Sequence, residues 1–282
     1  MTIKEAFNNI KQRLNEAGVD DPAFDTIYLF EHVLSFSRKD ITVYGDKQIN
    51  EKAFCTLNEL ANRRISGEPI QYILGYWFFM GEKYTVCDGV LIPRDDTQVL
   101  VNACTKLLEK KPDSKIVDLC SGSGIIAVTL KKQFADSTVF AVEKSETAYG
   151  CLIKNCEDNH ADVKAIHADL YDCTDFFDDN SLDLIASNPP YIITSEIDTL
   201  QKEVQYEPKM ALDGGKDGYD FYRGIINHWS KKLKKGGHIA FEIGENQFEY
   251  IKKLLENSGF SDVQGYLDLS LTTRAMTAIY NS

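Results

Sequence analysis

The sequence predicts an α/β protein: an open, mostly parallel sheet with helices on both faces, preceded by a small helical bundle and a β-hairpin linker. Three stretches carry that expectation. Ile116-Val117-Asp118-Leu119 reads as a strand that runs through a tight loop, Cys120-Ser121-Gly122-Ser123-Gly124, into a helix from Ile125 to Lys132. A second strand, Thr138 to Val142, ends at Glu143. A third, Leu182 to Ala186, is short and apolar and stops at Ser187-Asn188-Pro189-Pro190-Tyr191. Consecutive prolines neither continue a helix nor fit inside a ladder, so they end the strand and fix the backbone. Asn188 and Tyr191 are thereby held at a strand's C-terminal end, where open α/β sheets bind ligands.

Taken in order, residues 1 to about 70 alternate helical periodicity with short polar breaks. Ile3, Phe7, Ile10 and Leu14 share one helical face ended by Gly18. Asp21-Pro22 opens a second helix through Phe24, Ile27, Tyr28, Phe30 and Val33, with proline in the first turn. A third runs from about Glu51 to Ile65. Their aromatic residues read as core, and no catalytic cluster stands out. At Gly67-Glu68-Pro69 the texture changes. Ile70 to Ile92 is rich in Tyr, Phe, Trp and Val and punctuated by glycines, the pattern of a hairpin linker. The segment ends in Leu91-Ile92-Pro93-Arg94-Asp95-Asp96-Thr97, where Asp96 or Thr97 is placed to cap a helix from Gln98 to Leu108. By spacing alone Arg94 reads as a solvated turn residue.

In the glycine loop, Gly122 and Gly124 allow positive φ and let a ligand lie against the backbone, with the free N–H groups of the next helix facing it. With Ala127 the pattern also fits a dinucleotide fingerprint, G-x-G-x-x-A. Asp118 tips the balance, since a carboxylate there repels a pyrophosphate and attracts an ammonium group such as that of S-adenosylmethionine (SAM). Glu143 is placed for ribose hydroxyls, which both cofactors carry. Asp169 and Leu170, after a strand at Val163 to Ile166, suit an adenine amino group and ring, although a turn carboxylate reads equally well there. The Asn188 carboxamide and the Pro189 carbonyl suit a planar NH2 group that donates to both, with the Tyr191 ring covering it. A long polar connection, Ile192 to Gly218, reads as a lid. A helix from Asp220 to Leu233, a Lys234–Gly237 turn, a strand His238 to Ile243, a helix Gln247 to Ser258 and two last strands complete the chain.

The 282 residues leave room for one large domain or two modest ones. A formal charge of -12 counts against duplex DNA or bulk RNA as substrate, because phosphate-binding proteins show a basic face. The 7 cysteines form no C-x-x-C pair and read as free thiols in a reducing compartment. The histidines show no metal-ligand spacing, so no metal is expected. The first residues lack a signal peptide's apolar core and no run reaches membrane-spanning length, which predicts a cytoplasmic protein without membrane contact.

With the glycine loop, Glu143 and N-P-P-Y in that order, the chain resembles class I SAM-dependent methyltransferases. The match to the release-factor glutamine methyltransferases (HemK/PrmC) runs over nearly its whole length. G-E-P-I-Q-Y-I-L-G, L-I-P-R-D-D-T, D-L-C-S-G-S-G, S-N-P-P-Y-I, Y-E-P-K-M-A-L-D-G-G-K-D-G and E-I-G-E-N-Q carry it. The P-R-D-D-T and Y-E-P…A-L-D-G-G segments are the specific ones, since N-P-P-Y is shared with adenine and other amino-methyltransferases. The resemblance implies a helical substrate-recognition domain (1–70), a hairpin linker (71–93) and a Rossmann-like class I methyltransferase domain (94–282). It implies methylation of the glutamine amide nitrogen in the Gly-Gly-Gln motif of class I peptide chain release factors. Catalysis falls to Asn188, Pro189 and Tyr191. SAM falls to Asp118, Cys120, Ser121, Gly122, Ser123, Gly124, Glu143, Asp169, Leu170 and Asn188. The substrate falls to Asn188, Pro189, Pro190, Tyr191 and Arg94. Three positions depart from the family pattern: Cys120 for the commoner glycine, Leu170 for a frequent aromatic, and Gln98 for the usual Glu. Methylation of a ribosomal-protein glutamine or of adenine is the nearer alternative. A dinucleotide-dependent oxidoreductase, or a non-catalytic SAM-binding module, leaves N-P-P-Y idle.

Overall fold

The computed structural model describes every residue except Lys110 and Pro112. The chain divides into two compact units, Met1–Tyr76 with Lys202–Tyr206, and Trp77–Gln201 with Glu207–Ser282.

The first unit is helical. α1 (Ile3–Glu16) starts at a capping box, in which the Thr2 hydroxyl accepts from the Glu5 N–H and the Glu5 carboxylate accepts from the Thr2 N–H. It buries Ile3, Ala6, Ile10 and Leu14, the face its periodicity predicts. α2 (Pro22–Leu34) is capped by Asp21 and buries Leu29 and Phe30. α3 (Arg38–Tyr44) is capped by Ser37 and Asp40 and has only Ile41 buried, too little periodicity to stand out in the sequence. α4 (Glu51–Ile65) has the expected bounds and starts on the Asn50 side chain. α5 (Ile70–Leu74) is a single turn ended by Gly75 in the left-handed region, so helix occupies the first residues of the expected hairpin linker. Arg64, on α4, is buried between Asp25 and Glu203 and ion-pairs with both.

The second unit begins at Trp77, the second residue of a hairpin, β1 (Tyr76–Phe79) and β2 (Glu82–Thr85), which is followed by α6 (Thr97–Leu108). Then β3 (Lys115–Leu119), α7 (Ile125–Gln133), β4 (Thr138–Glu143), α8 (Glu146–Asp158), β5 (Val163–His167) and β6 (Leu182–Ser187) alternate as βαβ units. After the irregular stretch, which holds the short α9 (Lys209–Leu212), come α10 (Asp220–Trp229), β7 (Leu233–Glu242) and α11 (Phe248–Asn257). The antiparallel pair β8 (Phe260–Leu267) and β9 (Thr273–Tyr280) completes the unit. The expected Lys234–Gly237 turn lies inside β7, at a register shift against β6.

The sheet order is β5-β4-β3-β6-β7-β9-β8, with β5 to β7 parallel and β9 antiparallel to both its neighbours. Alternate residues of the parallel strands feed two cores. Ile116, Val139, Leu184 and Ala186 pack on one face with α6 and α7. Val117, Leu119, Val142, Ile185 and Ile239 pack on the other around Trp229 and Tyr222. Burial on both faces is why these strands read as continuous apolar runs. From β3 the chain winds outward through β4 and β5, then returns to place β6 on β3's other side. That reversal opens a crevice at the C-terminal ends of β3 and β6. Leu119 and Ser187 are paired there, and the Ser187 hydroxyl donates to the Leu119 carbonyl at 2.6 Å.

Candidate functional site

The crevice is a cavity of about 420 Å³, the size of a small-molecule site. Among the residues singled out in the sequence, Cys120, Gly122, Glu143, Asp169, Leu170, Asn188 and Pro190 line it. A second hollow of about 30 Å³, lined by Arg94, Thr97, Ser121 and Ser123, shares Cys120, Gly122 and Asn188 with the first. Asp118, Gly124, Pro189 and Tyr191 line neither.

The loop after β3 is built around left-handed backbone at Cys120 (φ 58°), Gly122 (φ 56°) and Gly124 (φ 83°). Gly124 also needs its missing side chain, because a Cβ there would lie 2.4 Å from Leu152 Cδ1. At Gly122 a Cβ meets nothing within 4 Å, so the cavity reaches the bare backbone. Glu143 holds this loop. Its Oε2 accepts from the Gly122 N–H and its Oε1 from the Ser145 N–H, both at 2.7 Å. Burial raises its pKa, and these backbone donors oppose the rise. Each oxygen keeps further acceptor capacity toward the cavity, as a ribose diol requires.

Asp118 does not face the cavity. It is fully buried beneath the loop, where Oδ2 accepts from the Ala127 N–H at 3.2 Å and Oδ1 has no partner among the described residues. Burial pushes its pKa to about 8. The physical reason is the tightness of the turn: Ser121 bonds back to the Asp118 carbonyl and closes the strand end over the carboxyl. Asp169 lines the cavity but is already engaged, with Lys144 at 2.8 Å and with the Tyr171 N–H. Burial pulls its pKa upward, but those two partners outweigh it and the net shift is down. Leu170 lies beside it, its carbonyl held by Trp229 Nε1. The lining carries the carboxyls of Glu143, Asp169, Asp213 and Asp220 against the ammonium of Lys144. That balance suits a nucleoside bearing net positive charge, as SAM does with its sulfonium and ammonium against one carboxylate.

Asn188 sits where both hollows meet, and its Nδ2 donates to Thr97 Oγ1 at 3.4 Å. The side chains expected to cap α6 are therefore used elsewhere: Thr97 faces Asn188, and Asp96 pairs with Arg274 at 3.2 Å. Pro189 and Pro190 are buried. Tyr191 is half-buried, and its hydroxyl is pushed up to about 12, first by burial and then by the nearby Glu242 charge.

Gln247, Gly214 and Gly218 hold this motif, and the charges of Glu242 and of Arg94 stand near it. Gln247 Nε2 donates to the Tyr191 and Gly218 carbonyls at 3.1 and 3.2 Å, while its Oε1 accepts from the Gly244 N–H. A Cβ on Gly214 would lie 2.6 Å from Tyr191 Cα, and one on Gly218 2.7 Å from the Tyr191 carbonyl oxygen. The D-G-G and E-I-G-E-N-Q segments thus pack directly on N-P-P-Y. Arg94 ion-pairs with Glu207, whose other oxygen accepts from the Ile92 N–H at 3.1 Å. The P-R-D-D-T and Y-E-P segments are therefore partners of one another. Last, the buried Glu242, at the end of β7, stands against Asn188 and Thr97.

Residues 5–75 match the model of the PrmC N-terminal domain, and residues 95–216 that of the methyltransferase small domain. A release factor glutamine methyltransferase from Geobacter sulfurreducens is 37% identical over 263 residues, covering 93% of this chain and 90% of that protein. One from Caulobacter vibrioides is 31% identical over 284 residues, covering 100% and 97%. Among solved structures, the hMettl16 catalytic domain in complex with a 3′UTR hairpin shares the fold at a TM-score of 0.56 and 14% identity, covering 84% of each chain. A T. Thermophilus 16S rRNA methyltransferase in complex with AdoMet and guanosine does so at 0.52 and 20%, covering 73% of this chain and 50% of that one. On the length and identity of these matches, the chain belongs to the release factor glutamine methyltransferase family.

Proposed function

We propose that this chain transfers a methyl group from SAM to the side-chain amide nitrogen of the glutamine in the Gly-Gly-Gln motif of class I peptide chain release factors. The observation that carries the reading is the full-length identity to proteins of that name, 37% over 93% of the chain. The crevice supports it independently, because an acidic, nucleoside-sized cavity meets the Asn188 carboxamide at its rim.

When bound, SAM supplies an electrophilic methyl group on a sulfonium and is left as S-adenosylhomocysteine. Everything else is positioning. An amide nitrogen is a poor nucleophile because its lone pair is delocalised into its carbonyl. Asn188 Oδ1 and the Pro189 carbonyl accept its two N–H bonds, and Tyr191 covers the amide plane. Orientation of this kind is worth on the order of 7–11 kcal/mol of a barrier. The same acceptors favour the positive charge that grows on nitrogen during transfer. The methylated amide is acidic enough to lose its proton to water, so no general base is needed.

Glu143 takes the ribose hydroxyls, Leu170 packs on the adenine, and the backbone at Cys120 to Gly124 lies along the amino-acid end. Asp118 acts from beneath that loop. Arg94 acts through its Glu207 tie and shapes the substrate side of the hollow. Residues 1–70 recognise the release factor, the hairpin links, and residues 94–282 catalyse. The partner's role in translation puts the reaction in the cytoplasm. Among the described residues no helix is long and apolar enough to cross a membrane, and the charge of -12 leaves the protein substrate, rather than nucleic acid, as the contact.

The test is methyl transfer from labelled SAM to a purified class I release factor, beside one whose motif glutamine is changed to alanine. Label on the first alone is expected. Equal label on both, or none on either with SAM bound, overturns the reading.

A further inference from the structure

Glu242 is not part of the mechanism above, yet it is 2% exposed and lies at the end of β7, next to β6, which ends just before Asn188. Thr97 and Asn188 beside it favour its ionised form, and its Oε2 has no partner among the described residues. Asn188 Nδ2 also points to Thr97 Oγ1. A buried carboxylate costs several kcal/mol unless it is fully paired, so a folded chain that keeps one here needs a reason.

We propose that Glu242 is a positioning residue: its acceptor-only carboxylate, together with Thr97, fixes the Asn188 carboxamide with Nδ2 turned inward and Oδ1 presented to the substrate amide. The argument is one of donor and acceptor polarity. A carboxamide has a donor end and an acceptor end of nearly the same shape, and rotation by half a turn exchanges them. Rotated, Asn188 would set its N–H groups against the N–H groups of the glutamine amide and could not hold that nitrogen. An ionised carboxylate accepts and never donates, so only one orientation is satisfied. With its hydroxyl hydrogen turned toward Glu242, Thr97 is left to accept from Asn188 Nδ2. A protonated Glu242, or a glutamine in its place, carries a donor as well and satisfies both orientations.

Charged and titratable neighbours on each packed element bear on that ionisation. Asp96, beside α6, raises the Glu242 pKa and Arg274 on β9 lowers it, while burial is the largest influence and brings it to about 7. Tyr191 and, on α10, Tyr222 also feel the Glu242 charge. The orienting effect is therefore present above neutral pH and fades below it.

The inference rests on the methyl-transfer reading, and the experiment keeps the two apart. Wild type and Glu242→Gln are compared for kcat on the release factor, SAM affinity and pH dependence, with the Asn188 side-chain amide followed by 15N NMR in the free protein. Expected are a tenfold or greater fall in kcat, SAM affinity within twofold of wild type, and loss of the rise in kcat through neutral pH. The Asn188 amide resonance should titrate near neutrality in wild type and stay flat in the variant. An unchanged kcat and pH profile, a loss of SAM affinity matching the loss of rate, or an Asn188 resonance indifferent to pH in wild type overturns the proposal. If wild type labels no release factor, the substrate reading fails, and the resonance still decides the role of Glu242. If Glu242→Gln does not fold, Thr97→Val should lower kcat and Thr97→Ser should keep it; the reverse overturns the proposal as well.

Discussion

Asn188 is a side chain whose value depends on which way round it sits, and the surrounding chemistry fixes that direction. Truncating it removes an oriented acceptor without touching Glu143 or the glycine loop. Asn188→Ala is expected to lower kcat by roughly 10²–10³-fold, the usual cost of one oriented hydrogen-bonding group in a transition state. SAM affinity, measured by calorimetry, should stay within a few-fold; a Kd that weakens with kcat would place Asn188 in cofactor binding alone. At this scale the sequence was legible wherever geometry is local. Strand, glycines and helix start lie within ten residues, so the loop could be read directly. Asp118 was misjudged in one respect, since spacing places it near the loop but cannot say that Ser121 folds the turn over it. Cys120 shows why glycine is common at its position, because the backbone there is left-handed (φ 58°). Glu242 and Thr97 were illegible because they reach Asn188 from residues far away in the chain.

Between elements, the catalytic motif is clamped by glycines. Gly214 approaches the Tyr191 backbone so closely that a methyl group would displace main chain, not a flexible side-chain tip. Gly214→Ala should destabilise the protein by about 1–3 kcal/mol and lower kcat, read from a thermal melt and a transfer assay. Gly150→Ala, on the exposed side of α8 with nothing within 4 Å, is the control and should be neutral or stabilise by up to about 1 kcal/mol. An equal loss in both variants would refute the clamp. Long elements with clear periodicity, such as α1, α4 and β6, were visible in the sequence. α3 and α5 were not, because seven and five residues complete too few turns to show a face. The turn expected at Lys234–Gly237 is absorbed into β7 because a strand carrying a register shift tolerates two glycines.

Over the whole molecule, buried carboxyls set the response to pH. Asp118, raised to about 8 from 3.8, and Glu242, raised to about 7 from 4.5, hold protons in the folded chain that the unfolded chain releases. Their contribution to stability is full below the unfolded values and is lost as pH climbs through the folded ones. The lowered carboxyls, Asp169, Asp183 and Asp268 among them, act at the acid end, while His238, lowered by burial, opposes the fall in part of this window. Urea midpoints should fall between pH 5 and pH 8, on the order of 1 kcal/mol per pH unit per group. The pair Asp118→Asn and Glu242→Gln should flatten that fall; a midpoint that rises over the same range would contradict it. The first unit is discontinuous in the chain, since Lys202–Tyr206 joins Met1–Tyr76. Five residues are too few to carry a periodic signal, and what ties them there is an ion pair across 139 positions together with the Tyr206 hydroxyl, which donates to the Ser66 carbonyl.

That returning segment has a consequence for how the protein is made. Arg64 leaves the ribosome with Asp25 already synthesised, but Glu203 follows 139 residues later. At bacterial or eukaryotic rates of about 5–20 residues per second, the wait is on the order of ten seconds. For that interval the nascent helical unit carries a guanidinium with one of its two carboxylates, and its folding is finished only after most of the second unit has been translated.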